Sequence, residues 1–402
     1  MIYILLGIGI AGLLTSTIYA LLAAWGAFRF SVRQRRAFTA PFFPPVSLLK
    51  PLHGSEPELE AHLESFFKQQ YPSFEILFCA RSELDPGMEV ARRVASRYPE
   101  IPAKFLSSGE PGCANAKVWS LGCMEDAAQF PILVVSDSDV SVNPQYLREV
   151  VAPFKDDKVG MVTCLYRGIP GSPGPEGASL WSRLEAEGMS VEMSSGVLVA
   201  ELFEGMKFAL GPTMAVRCEC LKRFGGFRAL GSYHADDFIL GNLVAAHGHA
   251  VVLSTHIIEH HVLNTSFLAS VRHQIRWMKS TRFSRPKGHL GTALTFSMPY
   301  GILAAGAALA DRRPELAALL FVWGWATRFA LAAIMRGLVV QQFSFVRSAL
   351  LYPLRDLLGF FYWVASYFGN GVQWRGEVYQ LLSDGVMRND PSEKKTEAVL
   401  TI

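Results

Sequence analysis

The chain predicts an α/β domain built on a doubly wound parallel sheet, with membrane helices before and after it. Three observations carry this expectation. Between residues 46 and 140, short apolar runs alternate with stretches of helical spacing, the pattern of parallel strands joined by crossover helices. One of these runs, 131–135, ends in Ser136-Asp137-Ser138-Asp139, so two carboxylates stand where a buried strand gives out. Long stretches poor in charge lie at 2–25 and again beyond 289, each on the length scale of a bilayer.

Taken in order, residues 2–25 carry no charge, and the positive residues Arg29, Arg33, Arg35 and Arg36 follow them. That is the arrangement of an uncleaved anchor over residues 1–28, with its carboxyl end in the cytoplasm. A run rich in Pro and Phe (41–45) leads into the next domain. Residues 46–49 read as a first strand, ended by Lys50-Pro51. A helix follows over 57–70, then a strand at 75–80 and a polar stretch ending in Asp85-Pro86. The spacing predicts a helix over 87–98, a strand at 103–106, a helix over 115–128 and then the strand leading to Asp137. Residues 168–177 are rich in Gly and Pro and read as a loop. A helix is predicted over 179–194. Residues 197–208 are strongly apolar and fit either core or a membrane surface.

After Arg285 the chain becomes membrane-like. Spans are predicted over 290–310, 315–335 and 350–368, the second containing Arg328 and the third Arg355 and Asp356. Ionisable residues at such depth face protein or a polar cavity, and Arg355 with Asp356 can neutralise one another. The expected organisation is therefore an anchor (1–28), a cytosolic domain (45–285), a membrane domain of two or three spans (289–370) and a polar tail (388–402).

Composition agrees. Only 18% of the 402 residues are charged and mean hydropathy is +0.23, which suits an integral, multi-pass membrane protein. The net charge of +3 gives no reason to expect a nucleic-acid partner. The six cysteines show no C-x-x-C pair and no zinc spacing, so reduced thiols are expected.

Four polar sites carry the chemistry. Asp85, just past a strand, can hydrogen-bond a bound nucleoside. Asp137 and Asp139 offer hard oxygen donors that suit Mg²⁺ or Mn²⁺, and such an ion can hold a pyrophosphate; the bland alternative is an Asp-rich turn. Asp236-Asp237 open an apolar helix, where the helix dipole favours acids, and a helix cap would account for one of the two. His273-Gln274-Ile275-Arg276-Trp277 lies in a basic helix with Arg272, Lys279 and Arg282. Arg276 can pair with a diphosphate and Trp277 can pack beside it, or the helix can bind anionic headgroups. His260 and His261 follow an apolar run and fit ordinary turn packing better than a further metal ligand.

In this order the features resemble inverting GT-A glycosyltransferases, and specifically the ceramide glucosyltransferase family, over nearly the whole chain. That family carries three spaced aspartate sites and then a (Q/R)-x-x-R-W motif between membrane segments. Phe78-Cys79 leading to Asp85-Pro86 resembles its first site, Asp137 its second, and Asp237 its third, the proposed base. Arg276-Trp277 closes the fourth, and Asn115-x-Lys117 resembles its N-x-K stretch. One position departs: His273 stands where the animal enzymes have Gln or Arg. Stretches 162–168 and 180–184 look more like bacterial branches, one of which glycosylates hopanoid polyols with N-acetylglucosamine.

The resemblance implies a GT-A nucleotide-sugar domain using a UDP-sugar and Mg²⁺ or Mn²⁺. Asp85, Asn115, Lys117, Asp137, His273 and Arg276 would bind the donor, Asp137 and Asp139 the metal, and Asp237, Arg276 and Trp277 would be catalytic. The acceptor would be a membrane lipid, ceramide or a hopanoid polyol, met at the bilayer, with the protein in a bacterial inner membrane. Asp139 varies in the animal enzymes, so Asp137→Ala should be the more damaging of the two changes. Two rivals are a processive polysaccharide synthase, which shares the motifs but needs more spans, and a non-catalytic membrane scaffold, which the intact acids disfavour.

Overall fold

The computed structural model describes residues 1–36, 42–171, 177–264, 266–342, 345–374 and 377–389. Part of the 41–45 linker, half of the 168–177 loop (172–176) and the tail beyond 389 lie outside these residues. The chain divides into two compact units. One comprises Met1–Arg35, Arg167–Gly205 and Asn264–Gly369; the other comprises Arg36–Tyr166, Met206–Leu263 and Asn370–Ile402. Residues 167–205 and 264–285, expected within the cytosolic domain, therefore cluster with the long apolar helices.

The second unit is organised by an eight-stranded sheet of β1 (Val46–Pro51), β2 (Phe74–Ala80), β3 (Ala103–Ser107), β4 (Ile132–Ser136), β5 (Val140–Ser141), β6 (Val159–Pro170), β7 (Thr213–Arg217) and β8 (Ala250–Val262), in the order β3-β2-β1-β4-β7-β6-β8-β5. Every residue of β1, β2 and β4 is buried, which is why these segments read as continuous apolar runs rather than alternating ones. The pairings β1–β2, β1–β4 and β2–β3 are parallel, as the alternation predicts. The rest of the sheet corrects that prediction. β7 runs antiparallel to both β4 and β6, and β5 antiparallel to β8. The chain leaves β6 and re-enters β7 at the same end of the sheet, without the crossover that a parallel pair needs, so the two strands run antiparallel. β4 stops at Ser136 and the ladder resumes at Val140, so Asp137 and Asp139 occupy the break between two pairings, at the carboxyl edge. Leu49, Leu77, Leu133, Val135 and Met214 fill one face of the core with Leu121 and Leu240 from flanking helices.

A second sheet was not foreseen. β9 (Gly371–Trp374), β10 (Glu377–Leu381) and β11 (Met387–Asn389) form an antiparallel meander. It is tied to the stretch ahead of Asp236, where Met387 N–H donates to the Ser232 carbonyl at 2.8 Å and His234 N–H to that of Gly385 at 3.0 Å.

The first unit is helical. Among the described residues, two of its helices are long and apolar enough to cross a membrane, Ile2–Arg35 and Pro314–Val339. Along the first, Ile4, Ile18, Leu21, Trp25 and Phe28 are exposed, as lipid-facing residues would be. Its Gly12 is required by close packing, since a Cβ there would lie 2.1 Å from the Tyr300 ring. The span predicted over 290–310 falls on two helical segments, Pro286–Thr295 and Met298–Ala310, which meet at a 47° bend and together form a broken span or a re-entrant loop. The third span, expected over 350–368, falls on the helix Phe345–Ala365, which is not among the candidate spans of the described residues, and Pro353 lies inside it.

Arg355 and Asp356 do not neutralise each other, because neighbours on a helix point about 100° apart. Asp356 Oδ2 accepts the Ser297 and Met298 N–H groups at 2.9 and 2.8 Å, while its Oδ1 meets Arg328 at 3.3 Å. Arg355 reaches Glu192 at 2.8 Å and Gln274 at 2.7 Å. The bend thus has a physical support: its freed amides are satisfied by a carboxylate, and that carboxylate by a buried guanidinium. Asp356→Ala should destabilise the protein in detergent by about 3–5 kcal/mol, because it strands the Arg328 charge. A thermal midpoint equal to that of the parent protein would remove Asp356 from this role.

Candidate active site

Asp137 is held from two sides. The Lys117 ammonium lies 2.6 Å from Asp137 Oδ1, and the Lys50 Nζ donates to the Asp137 carbonyl at 2.6 Å. Lys50 is fully buried at the end of β1, with its ammonium 3.7 Å from the centre of the Phe66 ring. Burial pushes its amine down to about 7, against the opposing pull of Asp137 and Asp139. In the sequence Lys50 marks only the end of a strand.

Asp139 Oδ2 lies 3.2 Å from His260 Nε2. Burial alone would raise the Asp139 carboxyl, but His260, Lys50 and Lys117 together hold it well below the usual carboxylate range. Its other oxygen, Oδ1, is buried without a hydrogen bond. An ionised carboxylate with an unsatisfied buried oxygen, next to a second carboxylate and an imidazole, is a donor set that fits a divalent cation. His260 and His261, successive residues of β8, face opposite sides of the strand. Only His260 meets Asp139 through its ring.

Lys117 opens the helix Ala116–Ala127, whose N-cap is the fully buried Asn115, with Oδ1 accepting from the Val118 N–H at 3.1 Å. The Asn115 Nδ2 donates to the Tyr233 carbonyl at 2.9 Å and to Asp236 Oδ1 at 3.4 Å. Burial would lower the Lys117 ammonium, yet Asp137, Asp236 and Asp237 hold it above the usual lysine range. Lys117 is thus the shared counter-charge of the second and third aspartate sites.

Asp236 and Asp237 begin the helix Asp236–Ala246, as predicted. They are unequal. Asp236 is buried and Asp237 half-buried. Burial first, and then the Asp236 charge, push the Asp237 carboxyl up to about 6. Asp237 Oδ1 accepts its neighbour's Phe238 N–H at 2.8 Å. The other oxygen would lie 3.0 Å from a Cβ at position 211, so Gly211 leaves room for the carboxylate.

Asp85 is the N-cap of the helix Pro86–Ala95, accepting from Gly87 N–H at 2.8 Å. Both its oxygens also lie 3.0 Å from the Gly54 N–H. The structure therefore gives it the anchoring of two loops at the mouth of the sheet. Nearby, at the carboxyl ends of β1, β2 and β3, a cleft is lined by His53, Arg81, Lys117, Trp374, Glu377 and Tyr379 among others. This is where an open α/β sheet binds ligands. The three residues from the second sheet carried no local signal beyond a short alternation.

Arg276, Trp277 and His273 lie in the other unit, on the helix Phe267–Ser284. The His273 ring packs on Trp277 with centroids 4.6 Å apart. Its Nδ1 is 2.5 Å from Oε1 of the buried Glu185. Glu185 also accepts from Ser270 Oγ at 2.8 Å and Asn264 Nδ2 at 3.1 Å. It directly follows the stretch 180–184 singled out above, yet was not foreseen. Glu185→Leu should cost about 1–3 kcal/mol for each donor left unsatisfied, and Glu185→Gln less. Denaturation midpoints in detergent that do not rank in this order would refute the anchoring.

The sequence profile of glycosyl transferase family 21 matches residues 8–387. Ceramide glucosyltransferase 1 of Caenorhabditis elegans is 30% identical over 240 residues, 60% of this chain and 50% of the relative. Ceramide glucosyltransferase 3 of the same animal is 25% identical over 348 residues, 85% of this chain and 74% of the relative. The match to the first thus spans half that relative's length. Among solved structures, a mannosyltransferase of Pyrobaculum calidifontis in complex with GDP-Man and Mn²⁺ superposes with a TM-score of 0.51 at 20% identity, covering 88% of this chain and 99% of that one. The likeness shows the GT-A fold.

Proposed function

The chain belongs to glycosyl transferase family 21, and from that premise we propose that it transfers a hexosyl unit from a UDP-sugar to the hydroxyl of a membrane lipid, with inversion and with ceramide as the acceptor. The observation that carries this reading is the pairing of a half-buried Asp237, whose carboxyl is pushed up to about 6, with the buried Asp236 and Lys117 beside it. A general base with that value works well near neutral pH.

In this mechanism the cleft at the carboxyl edge takes the nucleoside, between Arg81 and the second sheet. Asp137 and Asp139, with His260, would hold a divalent ion. When bound, that ion, Mn²⁺ or Mg²⁺, supplies Lewis acidity and neutralises the diphosphate. Lys117 adds a fixed positive charge from the protein itself. Asp237 accepts the proton of the lipid hydroxyl as its oxygen attacks the anomeric carbon. The bond from that carbon to the diphosphate breaks, UDP departs, and an α-linked donor yields a β-linked lipid. The diphosphate role of Arg276 and Trp277 rests on the sequence motif. The Arg-rich carboxyl end of the first helix supports a cytoplasmic catalytic unit on a multi-pass membrane protein.

Lipid extracts from cells with and without the gene, compared by mass, test this reading. A ceramide heavier by one hexose in the gene-bearing cells supports it. A hopanoid heavier by one N-acetylhexosamine would replace the acceptor and the sugar. A polymeric product, or identical lipid profiles, would overturn it.

A further inference from the structure

Beside the aspartate centre, but on the other face of β8, lies a cluster that the glycosyl-transfer reading does not use. Glu58, His62 and His261 present ligand atoms that all lie within 4.8 Å of one another. Glu58 Oε2 is 3.9 Å from His62 Nε2 and 3.9 Å from His261 Nδ1, and the two imidazole centroids are 4.0 Å apart. Ligands of one tetrahedral zinc ion stand about 3.3 Å apart, so small side-chain rotations close the set.

Three features point to a ligand here. His62 is 2% exposed, and its ring nitrogens meet no hydrogen-bond partner of good geometry, with the Ser138 backbone only weakly engaged; a buried imidazole so poorly satisfied calls for an explanation. Glu58 precedes the helix Leu59–Phe67 in the left-handed conformation (φ 59°), yet its side chain caps nothing. A non-glycine residue adopts that strained geometry where its surroundings demand it. It also places Glu58 and His62 one helical turn apart on the same face.

The third feature is the order of hydrogen bonds behind His261. Ser141 Oγ donates to Glu259 Oε2 at 3.1 Å, so toward His261 Nε2, at 2.9 Å, the hydroxyl oxygen accepts. In the tautomer that this order of donors favours, Nε2 carries the proton and Nδ1 turns its lone pair toward Glu58. That is the outer-shell arrangement that prepares a histidine for a metal. Glu58 is 59% exposed, which leaves the cluster open to an ion from solvent.

We propose that Glu58, His62 and His261 form a second cation site, for a borderline-soft divalent transition ion of the zinc class, with water at the fourth position. Two imidazoles and one carboxylate select such an ion over Mg²⁺ or Ca²⁺. The ion would clamp the helix Leu59–Phe67 onto β8, whose His261 N–H donates to the Asp139 carbonyl at 2.8 Å and whose His260 pairs with Val140. Its effect is to brace the turn that carries Asp139. The site stands or falls independently of the sugar chemistry.

The test is Co²⁺ titration of the full-length protein in detergent after treatment with chelator, read by visible absorption. The intense band of a four-coordinate cobalt ion should saturate at one equivalent and be displaced by Zn²⁺. Glu58→Gln, an exposed change that leaves the fold intact, and His62→Gln should each weaken binding at least about tenfold. Asp137→Ala/Asp139→Ala should keep the band. No band in the parent protein, equal affinity in Glu58→Gln and His62→Gln, or loss of the band only in the double aspartate variant would each overturn the assignment.

Discussion

Replacing Asp237 with Asn lowers lipid glycosylation by about 10²–10⁴-fold, the range expected when a general base is removed, while donor binding changes little. Asn keeps the size of the side chain and the contact with the Phe238 N–H, so the loss reports the proton-accepting function. The pH dependence carries the same claim. Burial, and then the Asp236 charge, hold the Asp237 carboxyl up to about 6. The base works only when deprotonated, so kcat/KM should fall below about pH 6, approaching tenfold per unit. Asp236→Asn removes a neighbouring negative charge, so the Asp237 carboxyl titrates lower and this acid limb should move to lower pH. A limb that stays in place in Asp236→Asn would show that another group controls it.

Lys117→Met is the second large effect. Its ammonium answers Asp137 at 2.6 Å and, through its field, Asp236 and Asp237. Removing it leaves buried carboxylates without their shared counter-charge, a loss of about 3–5 kcal/mol in stability by analogy with other broken buried pairs. Transfer should fall by about 10²–10³-fold, the cost of losing one fixed electrostatic contact to a departing anion. The acid limb should move to higher pH, opposite to that of Asp236→Asn, because the Asp237 carboxylate loses a cation that stabilises it. Pre-steady-state or pH-rate measurements on the residual activity distinguish the two directions. Asp137 and Asp139 are also unequal. Asp137 is gripped by Lys117 and Lys50 and matches the family's second site, so Asp137→Ala should be more damaging than Asp139→Ala.

The parallel half of the sheet was legible because β1, β2 and β4 are buried on both faces and so appear as unbroken apolar runs. The place of Asp137 and Asp139 was legible for a related reason: the run stops abruptly at Ser136. Asp236 and Asp237 announced themselves by opening an apolar helix. What escaped was non-local. Nothing in the local pattern at 213–217 says that β7 lies between β4 and β6, since that depends on where a chain returns after a forty-residue excursion. Trp374, Glu377 and Tyr379 reach the cleft through a meander of strands no longer than five residues, too short for periodicity to register. Lys50 and Glu185 gain their roles only from partners far along the chain, and so does Asp356, whose charge meets Arg328 rather than its neighbour Arg355.

The most direct measurement is transfer of labelled sugar from a UDP-sugar into lipid by the purified protein in detergent, with Mn²⁺ and ceramide, for the parent protein and for Asp237→Asn side by side. The account predicts label in the organic phase as a β-linked glycolipid for the parent, and a loss of about 10²–10⁴-fold for the variant. Equal transfer by both, or an α-linked product, would contradict it.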